Sequence, residues 1–151
     1  MSGYGHAPLL ALGFTFETTT AVTRLILGGV LERHPRLRFV LAHTGGTLPF
    51  LAGRLDACTK VDERARRNLR KPFSEYLRMM YFDGVAYHAP AIRCALELVG
   101  PERIVFGTDH PFGIADAEAC MSAIRQVAGL DQDAAAMLGA NAEQLLLRPR
   151  A

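Results

Sequence analysis

The sequence has few cysteines, and their arrangement excludes two classes of small protein. Only Cys58, Cys94 and Cys120 occur in 151 residues, and no two of them form a C-x-x-C pair. A disulfide framework needs an even set of cysteines, and a zinc ribbon needs closely spaced pairs. The pattern therefore favours neither class and is typical of a chain kept in a reducing cytoplasm.

A long apolar run, a strong net charge and the glycine motifs of nucleotide-binding domains are also missing. No hydrophobic stretch reaches the length of a membrane span, and the first residues lack the basic-then-apolar pattern of a signal peptide. The formal net charge of +2 is too small to indicate nucleic acid or a membrane surface as partner. Neither G-x-G-x-x-G nor a P-loop follows a predicted strand. We therefore expect a cytoplasmic protein that binds neither nucleic acid nor membrane.

What is present is the composition of one α/β domain. Half of the residues are hydrophobic and 21% are charged, as in ordinary packed domains. Three short apolar runs bounded by turn residues predict strands at 38–42, 79–83 and 103–108. Apolar residues at helical spacing predict helices at about 17–34, 49–58, 72–78, 92–99, 120–128 and 132–147. This order predicts parallel strands joined by right-handed crossovers, with residues 1–16 as a loop.

Two of the predicted strands end in side chains that can carry chemistry. The first leads to His43, which Gly45 and Gly46 follow, and the third leads to Asp109. Because the carboxyl ends of parallel strands meet at one sheet edge, we expect His43 and Asp109 to lie close together. Such a histidine can be a metal ligand or general base, and such an aspartate can bind a metal or carry a proton. The alternatives are a buried histidine bonded to a loop carbonyl and an aspartate in an ordinary turn.

Other polar residues give weaker signals. Arg54 lies eleven positions after His43, where it could bind a substrate carboxylate through two hydrogen bonds or pair with a carboxylate at the surface. Asp83 and His88 follow the middle strand, at the same predicted edge. The segment 60–71 has six basic and two acidic residues. It is either a solvated face or a patch for an anionic ligand or a partner subunit.

Several stretches together resemble a known family: LAHTGGTLPFLAGRLD, RIVFGTDHPFG, FETTTAVTRLILGGVLERHPRLRFVLAH and GANAEQLL. They are similar to segments of the amidohydrolase-related family, in the branch that contains the aminocarboxymuconate-semialdehyde, resorcylate and 6-methylsalicylate decarboxylases. The resemblance extends over nearly the whole chain, which we treat as one partial domain, 1–151. It implies a (β/α)8 barrel with one divalent metal, zinc or manganese, held by an H-x-H pair, a further histidine and an aspartate.

The resemblance implies roles for four residues. Asp109 matches the metal ligand on the eighth strand. His43 matches the sixth-strand histidine that lies beside the metal and polarises or deprotonates its bound water. Arg54 matches an arginine that reaches a substrate carboxylate in the adjacent subunit, which implies a homodimer, and Phe112 matches an aromatic residue that lines the pocket. The implied substrate is a small carboxylic acid, aromatic or unsaturated.

Two properties of the family are missing from the sequence. A (β/α)8 barrel takes about 250 residues, whereas this chain has strands that match only the sixth to the eighth. It contains no H-x-H pair, and Asp109 alone cannot hold zinc, because zinc sites need three or four protein ligands. We therefore expect an α/β fold that is the C-terminal portion of a metal-dependent TIM barrel and acts with a missing amino-terminal half or as a homodimer.

Three functions stay open from the sequence alone. The chain is part of a decarboxylase, or part of a hydrolase that opens a lactone or amide while His43 manages the proton. The products separate these two, because one reaction releases carbon dioxide and the other adds water. In the third reading the chain is a non-catalytic module that self-associates through its open sheet edges.

Overall fold

The computed structural model describes residues 5–127 and 134–147. Its centre is a parallel sheet in the order β1-β2-β3, in which Val40 pairs with Tyr81 and Phe82 pairs with Ile104. The predicted parallel α/β architecture is thereby confirmed. The strands are shorter than predicted: β1 (Val40–Leu41), β2 (Tyr81–Asp83) and β3 (Ile104–Val105).

Helices connect and cover the strands, and from α3 onward they lie near the predicted positions. The segments 128–133 and 148–151 lie outside the described residues, so the predicted helix end at Ala128 and helix start at Gln132 are not compared. The described helices are α1 (Phe14–Leu27), α2 (Val30–Arg33), α3 (Leu48–Val61), α4 (Glu63–Arg66), α5 (Phe73–Leu77), α6 (Ala89–Val99), α7 (Ala117–Arg125) and α8 (Ala134–Leu147). Over this described part of the chain, no helix is both long and apolar enough to cross a bilayer.

The loop predicted for residues 1–16 is wrong from Leu9 onward. Leu9–Gly13 forms a π-helical turn that continues into α1, and it contains no buried residue. An exposed helix needs no apolar stripe, so the periodicity used for prediction was absent there. The hydroxyl of Thr15 bonds the carbonyl oxygens of Ala11 and Leu12 and strengthens this turn.

The single helix predicted for residues 17–34 is also wrong, because two glycines divide it. Gly29 has a left-handed φ of 71° and separates α1 from α2. A Cβ atom at Gly29 would lie 2.9 Å from the Cβ of Asn68. The amide of Asn68 donates to the carbonyl of Leu27 at 2.8 Å and satisfies the end of α1.

The main core lies between the sheet and its helices. Leu41, Phe82 and Ile104 share one face of the sheet and are buried. They belong to a core to which α1, α3, α6 and α7 contribute, through Ile26, Leu48, Ile92 and Ile124. Burial of one such large side chain stabilises the fold by about 1.5–3 kcal/mol. The core therefore fixes the strands whose ends carry the candidate site residues.

The last helix closes the outer side of β3. Asn141 on α8 is buried, and its amide donates to the carbonyl oxygens of Ile104 at 2.7 Å and Pro101 at 2.8 Å. Buried carbonyl groups need such partners, because an unpaired one costs free energy. Asn141 thus satisfies the carbonyl that points away from β2.

Candidate active site

Two glycines let the loop after β1 pack tightly against its neighbours. Gly45 and Gly46 have φ values of 75° and 63°. A Cβ atom at Gly45 would lie 2.5 Å from the ring of Phe82, and one at Gly46 would collide with the backbone oxygen of Thr15. Only glycine combines this backbone conformation with these close approaches. The loop that carries His43 is therefore held between the sheet and α1.

The structure brings His43 and Asp109 together at the predicted sheet edge. The Nε2 atom of His43 lies 3.6 Å from Oδ1 of Asp109, and their side chains are 24% and 19% exposed. The ring of His43 stacks on Phe14, with 6.4 Å between ring centroids and 15° between planes. A partly exposed imidazole beside a carboxylate can exchange protons with a bound molecule.

A cavity of about 390 Å³ opens beside this pair. Its size suits a small organic molecule. Residues before and within α1 form one wall, and the loops after the three strands, together with the first turns of α3 and α6, form the others. The lining residues are Leu10, Ala11, Thr15, His43, Thr44, Gly46, Pro49, Phe50, Val85, Ala86, Tyr87, Ala91, Cys94, Asp109 and Ile114.

Left-handed backbone is concentrated at this cavity. In the described ranges, 5–127 and 134–147, positive φ values of non-glycine residues occur at His43 (56°), Thr44 (53°), Tyr87 (54°) and Asp109 (59°). All four line the cavity. Each such residue costs about 1–3 kcal/mol and persists only where its surroundings impose the conformation. Strain confined to one cavity is typical of a functional site.

Asp83 also reaches the site edge, as its strand-end position predicts. Its carboxylate accepts the backbone N–H groups of His43, Thr44 and Val85. Burial raises the pKa of the Asp83 carboxyl, although these hydrogen bonds lower it in part. His88, the other candidate on this loop, is exposed at the start of α6.

Sequence reasoning missed Tyr87, which links two of the strand-end loops. Its hydroxyl donates to the carbonyl oxygen of Ile114 at 2.9 Å, and its ring lines the cavity. Burial and the neighbouring Cys120 and Asp109 raise the pKa of Tyr87 to about 12, so the hydroxyl stays protonated at neutral pH. The available signal was its position, four residues after Asp83 in a strand-end loop.

Arg54 and Phe112 lie away from the cavity. Arg54 is exposed on α3, and Phe112 is 64% exposed in the loop after β3. Among the described residues, neither belongs to the cavity lining. Arg54 is one helical turn beyond Phe50, which does line it. Both side chains are therefore at the surface and outside the cavity.

The described residues do not complete a metal site. Within them, no group of three or more histidine, cysteine, aspartate or glutamate side chains is arranged to hold a metal ion. His43 and Asp109 provide two adjacent donors, fewer than the three or four that a zinc site needs. In the same described part, Nδ1 of His43 and Oγ1 of Thr44 are buried without a hydrogen-bond partner. Buried polar atoms normally have a partner, which at a cavity can be a water molecule, an ion or a bound molecule.

Comparison with known proteins gives the chain a family. The sequence model of the amidohydrolase family matches residues 4–148. A 2-amino-3-carboxymuconate-6-semialdehyde decarboxylase from Dictyostelium discoideum is 30% identical over 113 residues, which cover 70% of this chain and 30% of that relative. The chain thus spans about a third of the length of this curated relative.

Solved structures agree with the sequence match. The apo structure of Metarhizium anisopliae IDCase is 38% identical, with a TM-score of 0.83, over 94% of this chain and 42% of that one. A 5-carboxyvanillate decarboxylase from Novosphingobium aromaticivorans, solved with bound manganese and a nitrobenzoic acid, is 26% identical, with a TM-score of 0.71, over 88% of this chain and 40% of that one. These proteins are TIM barrels of which this chain covers part. The chain belongs to the amidohydrolase family.

Proposed function

We propose that the chain carries the carboxyl-terminal part of the active site of a metal-dependent decarboxylase. Its substrate is a small aromatic or unsaturated carboxylic acid, as for the decarboxylases to which the chain is similar. The observation that carries this proposal is the approach of His43 to Asp109, 3.6 Å apart at the edge of a cavity. His43 and Asp109 come from two separate strand-end loops, and packing of the hydrophobic core does not require these two side chains to meet.

His43 is the proton carrier in this proposal. Loss of carbon dioxide leaves an electron pair on the substrate carbon, and a proton must reach that carbon. Histidine is the side chain that most readily gives and takes protons near neutral pH. The exposed fraction of His43 borders the cavity, so Nε2 can deliver the proton to a bound molecule.

Asp109 would supply one carboxylate to a divalent metal, zinc or manganese. When bound, such a metal withdraws negative charge from a substrate carboxylate or phenolate. The ligands that complete its coordination come from outside the described residues. A metal-dependent reaction by this chain therefore needs further barrel strands, in a longer chain or in a partner.

The surface around the cavity supports the need for such a segment. Phe50, which lines the cavity, is 83% exposed, and Phe14, whose ring stacks on His43, is 42% exposed. Large apolar side chains exposed beside a cavity are typical of a surface that another element covers. We propose that the amino-terminal half of a barrel covers it.

Arg54 and Phe112 contact the substrate from the periphery in this proposal. The guanidinium of Arg54 can bind a carboxylate through two parallel hydrogen bonds. Its exposure on α3 suits a substrate held by the second subunit of a homodimer. Phe112 offers an apolar ring surface to an aromatic substrate. Light scattering of the native chain and of Arg54→Ala, with and without substrate, tests the dimer.

Complementation tests the proposed reaction. The chain is produced alone and together with the amino-terminal half of the Metarhizium anisopliae IDCase, its 38% identical relative. Carbon dioxide release from 5-carboxyvanillate and 2,6-dihydroxybenzoate is then measured with manganese or zinc. His43→Ala and Asp109→Ala are compared with His34→Ala, which changes an exposed histidine at the end of α2 that does not line the cavity.

We expect metal-dependent carbon dioxide release by the complemented protein, lost in His43→Ala and Asp109→Ala and kept in His34→Ala. A product that has gained water, traced with labelled solvent, would instead identify a hydrolase. Binding of the amino-terminal half without any turnover on lactones, amides or carboxylic acids would make the chain a non-catalytic module.

A further inference from the structure

Asp83 is the strand-end residue to which the proposed function gives no role. It ends β2, the strand between the two that lead to His43 and Asp109. Its Oδ2 accepts the N–H of His43 at 3.1 Å, and its Oδ1 accepts those of Thr44 at 2.7 Å and Val85 at 3.1 Å. Both oxygens are engaged, and two of the three donors belong to the neighbouring loop.

These two donors lie on left-handed backbone. His43 and Thr44 have φ values of 56° and 53°, which non-glycine residues keep only where their contacts impose them. Successive N–H groups in such a turn form a concavity that binds an anion. The carboxylate of Asp83 fills this concavity and so stabilises the turn.

The turn decides where the imidazole of His43 points. The φ and ψ of a residue set the direction of its Cα–Cβ bond and limit the rotamers of its side chain. In the observed turn, Nε2 faces Asp109 at 3.6 Å and the ring stacks on Phe14. An extended backbone at His43 would turn the imidazole away from both residues.

We propose that Asp83 is a positioning residue, whose carboxylate holds the loop after β1 in the turn that aims His43 at Asp109 and the cavity. The geometric part concerns this chain alone, and only its catalytic consequence rests on the proposed function. An asparagine at this position has nearly the same shape. It offers one acceptor oxygen, however, and its NH₂ group would face a backbone N–H donor.

Asp83→Asn is compared with Asp62→Asn. Asp62 accepts the N–H groups of Arg64 at 2.9 Å and Ala65 at 3.2 Å at the start of α4. The control thus makes the same chemical change in another carboxylate that accepts backbone donors, away from His43. Two quantities are measured by NMR: hydrogen exchange of the His43 and Thr44 amides, and the imidazole chemical shifts of His43, which the ring of Phe14 displaces.

In Asp83→Asn we expect both amides to exchange at least about tenfold faster and the imidazole shifts to move toward those of an unstacked histidine. Asp62→Asn should change neither quantity. Unchanged exchange or unchanged imidazole shifts in a folded Asp83→Asn chain would overturn the proposal. If that variant does not fold, hydrogen exchange of the Thr44 amide in the native chain tests the proposal. Exchange at Thr44 as slow as in β2 supports the proposal, and exchange at the rate of an unstructured peptide overturns it.

The catalytic consequence is measured in the complemented enzyme. A misplaced proton carrier slows the chemical step, so kcat of Asp83→Asn should fall about 10-fold to 100-fold while KM stays within about twofold. A rise in KM with unchanged kcat in Asp83→Asn would contradict the positioning role of Asp83. The NMR measurements need no substrate, so an enzyme without decarboxylase activity would refute the proposed function and leave the role of Asp83 in the turn intact.

Discussion

Two adjacent residues of β2, Phe82 and Asp83, serve different regions of the molecule. Successive side chains of a strand point to opposite faces. Phe82 is fully buried in the core on the helix side, whereas Asp83 bonds the strained loop at the open edge. The first region is apolar, and the second holds four left-handed non-glycine residues in the described chain. Stability therefore depends mainly on core residues such as Phe82, and the geometry of the candidate site on residues such as Asp83, although the ring of Phe82 also packs closely against Gly45 of the loop.

The largest loss of stability is expected from the helix-side core. Phe82→Ala leaves a cavity among Leu41, Ile104 and their helical neighbours, and we expect the free energy of unfolding to fall by about 3–5 kcal/mol. Urea unfolding followed by circular dichroism measures the change. Phe16→Ala is the control, because Phe16 is 54% exposed. A loss below about 1 kcal/mol in Phe82→Ala would show that this region does not carry the stability.

Two glycine-to-alanine changes should have opposite signs. Gly46→Ala places a Cβ against the backbone oxygen of Thr15 at a φ of 63°, and we expect a loss of at least about 2 kcal/mol. Gly53 lies within α3 with no atom within 4 Å of the added Cβ. Gly53→Ala should therefore gain about 0.5–1 kcal/mol. Thermal unfolding of both variants measures these changes in stability. Equal changes in the two variants would contradict the requirement for glycine in the tight loop.

A polar group in the core gives a pH-dependent prediction. Tyr76 donates its hydroxyl to Glu32 and accepts the N–H of Arg70 at 2.9 Å. Burial, followed by the hydrogen bond to Glu32, raises the pKa of Tyr76. The unfolded chain then loses this proton at lower pH than the folded chain, so stability should fall as pH rises above about 10.

Tyr76→Phe tests this sign. The variant should be less stable by about 1–2 kcal/mol at pH 7, because a buried hydrogen-bonded hydroxyl is removed. Its stability should depend less on pH above about 10 than that of the native chain. Urea midpoints between pH 8 and 11 measure both quantities. If the stability of both proteins fell equally with pH, the loss of stability at alkaline pH would come from groups other than Tyr76.

A small effect on stability is expected at the site itself. Glycine adopts the φ of 56° at His43 without the cost that a side chain incurs. We expect His43→Gly to be more stable than His43→Ala by about 1 kcal/mol, and neither variant to support carbon dioxide release in the proposed complementation. Chemical unfolding of the two variants measures the difference. A less stable glycine variant would mean that the turn is not strained.

The meeting of His43 and Asp109 could be predicted because it depends only on parallel strands and their order. Asp83 was placed at the same edge for the same reason. Its three backbone partners could not be predicted, because they depend on left-handed turns that the residue types do not indicate. Tyr87 was missed for a related reason, since its bond to the Ile114 carbonyl joins two irregular loops.

Other errors have a different physical origin. The π-helical turn Leu9–Gly13 is exposed, so it shows no amphipathic period. The strands were predicted too long because flanking apolar residues such as Phe106 lie outside the assigned strands. The break at Gly28 and Gly29 depends on Asn68, a residue distant in sequence.

The amide of Asn141 has a consequence for the order of folding. This amide donates a hydrogen bond to the carbonyl oxygen of Ile104, and Asn141 is synthesised 37 residues after Ile104. During synthesis, the outer side of β3 stays open until α8 has emerged, and an open strand edge attracts other chains. A chain that stops before Asn141 would keep most of the candidate site. The outer edge of its β3 would, however, stay unpaired and favour aggregation. Solubility during expression therefore depends on the last helix.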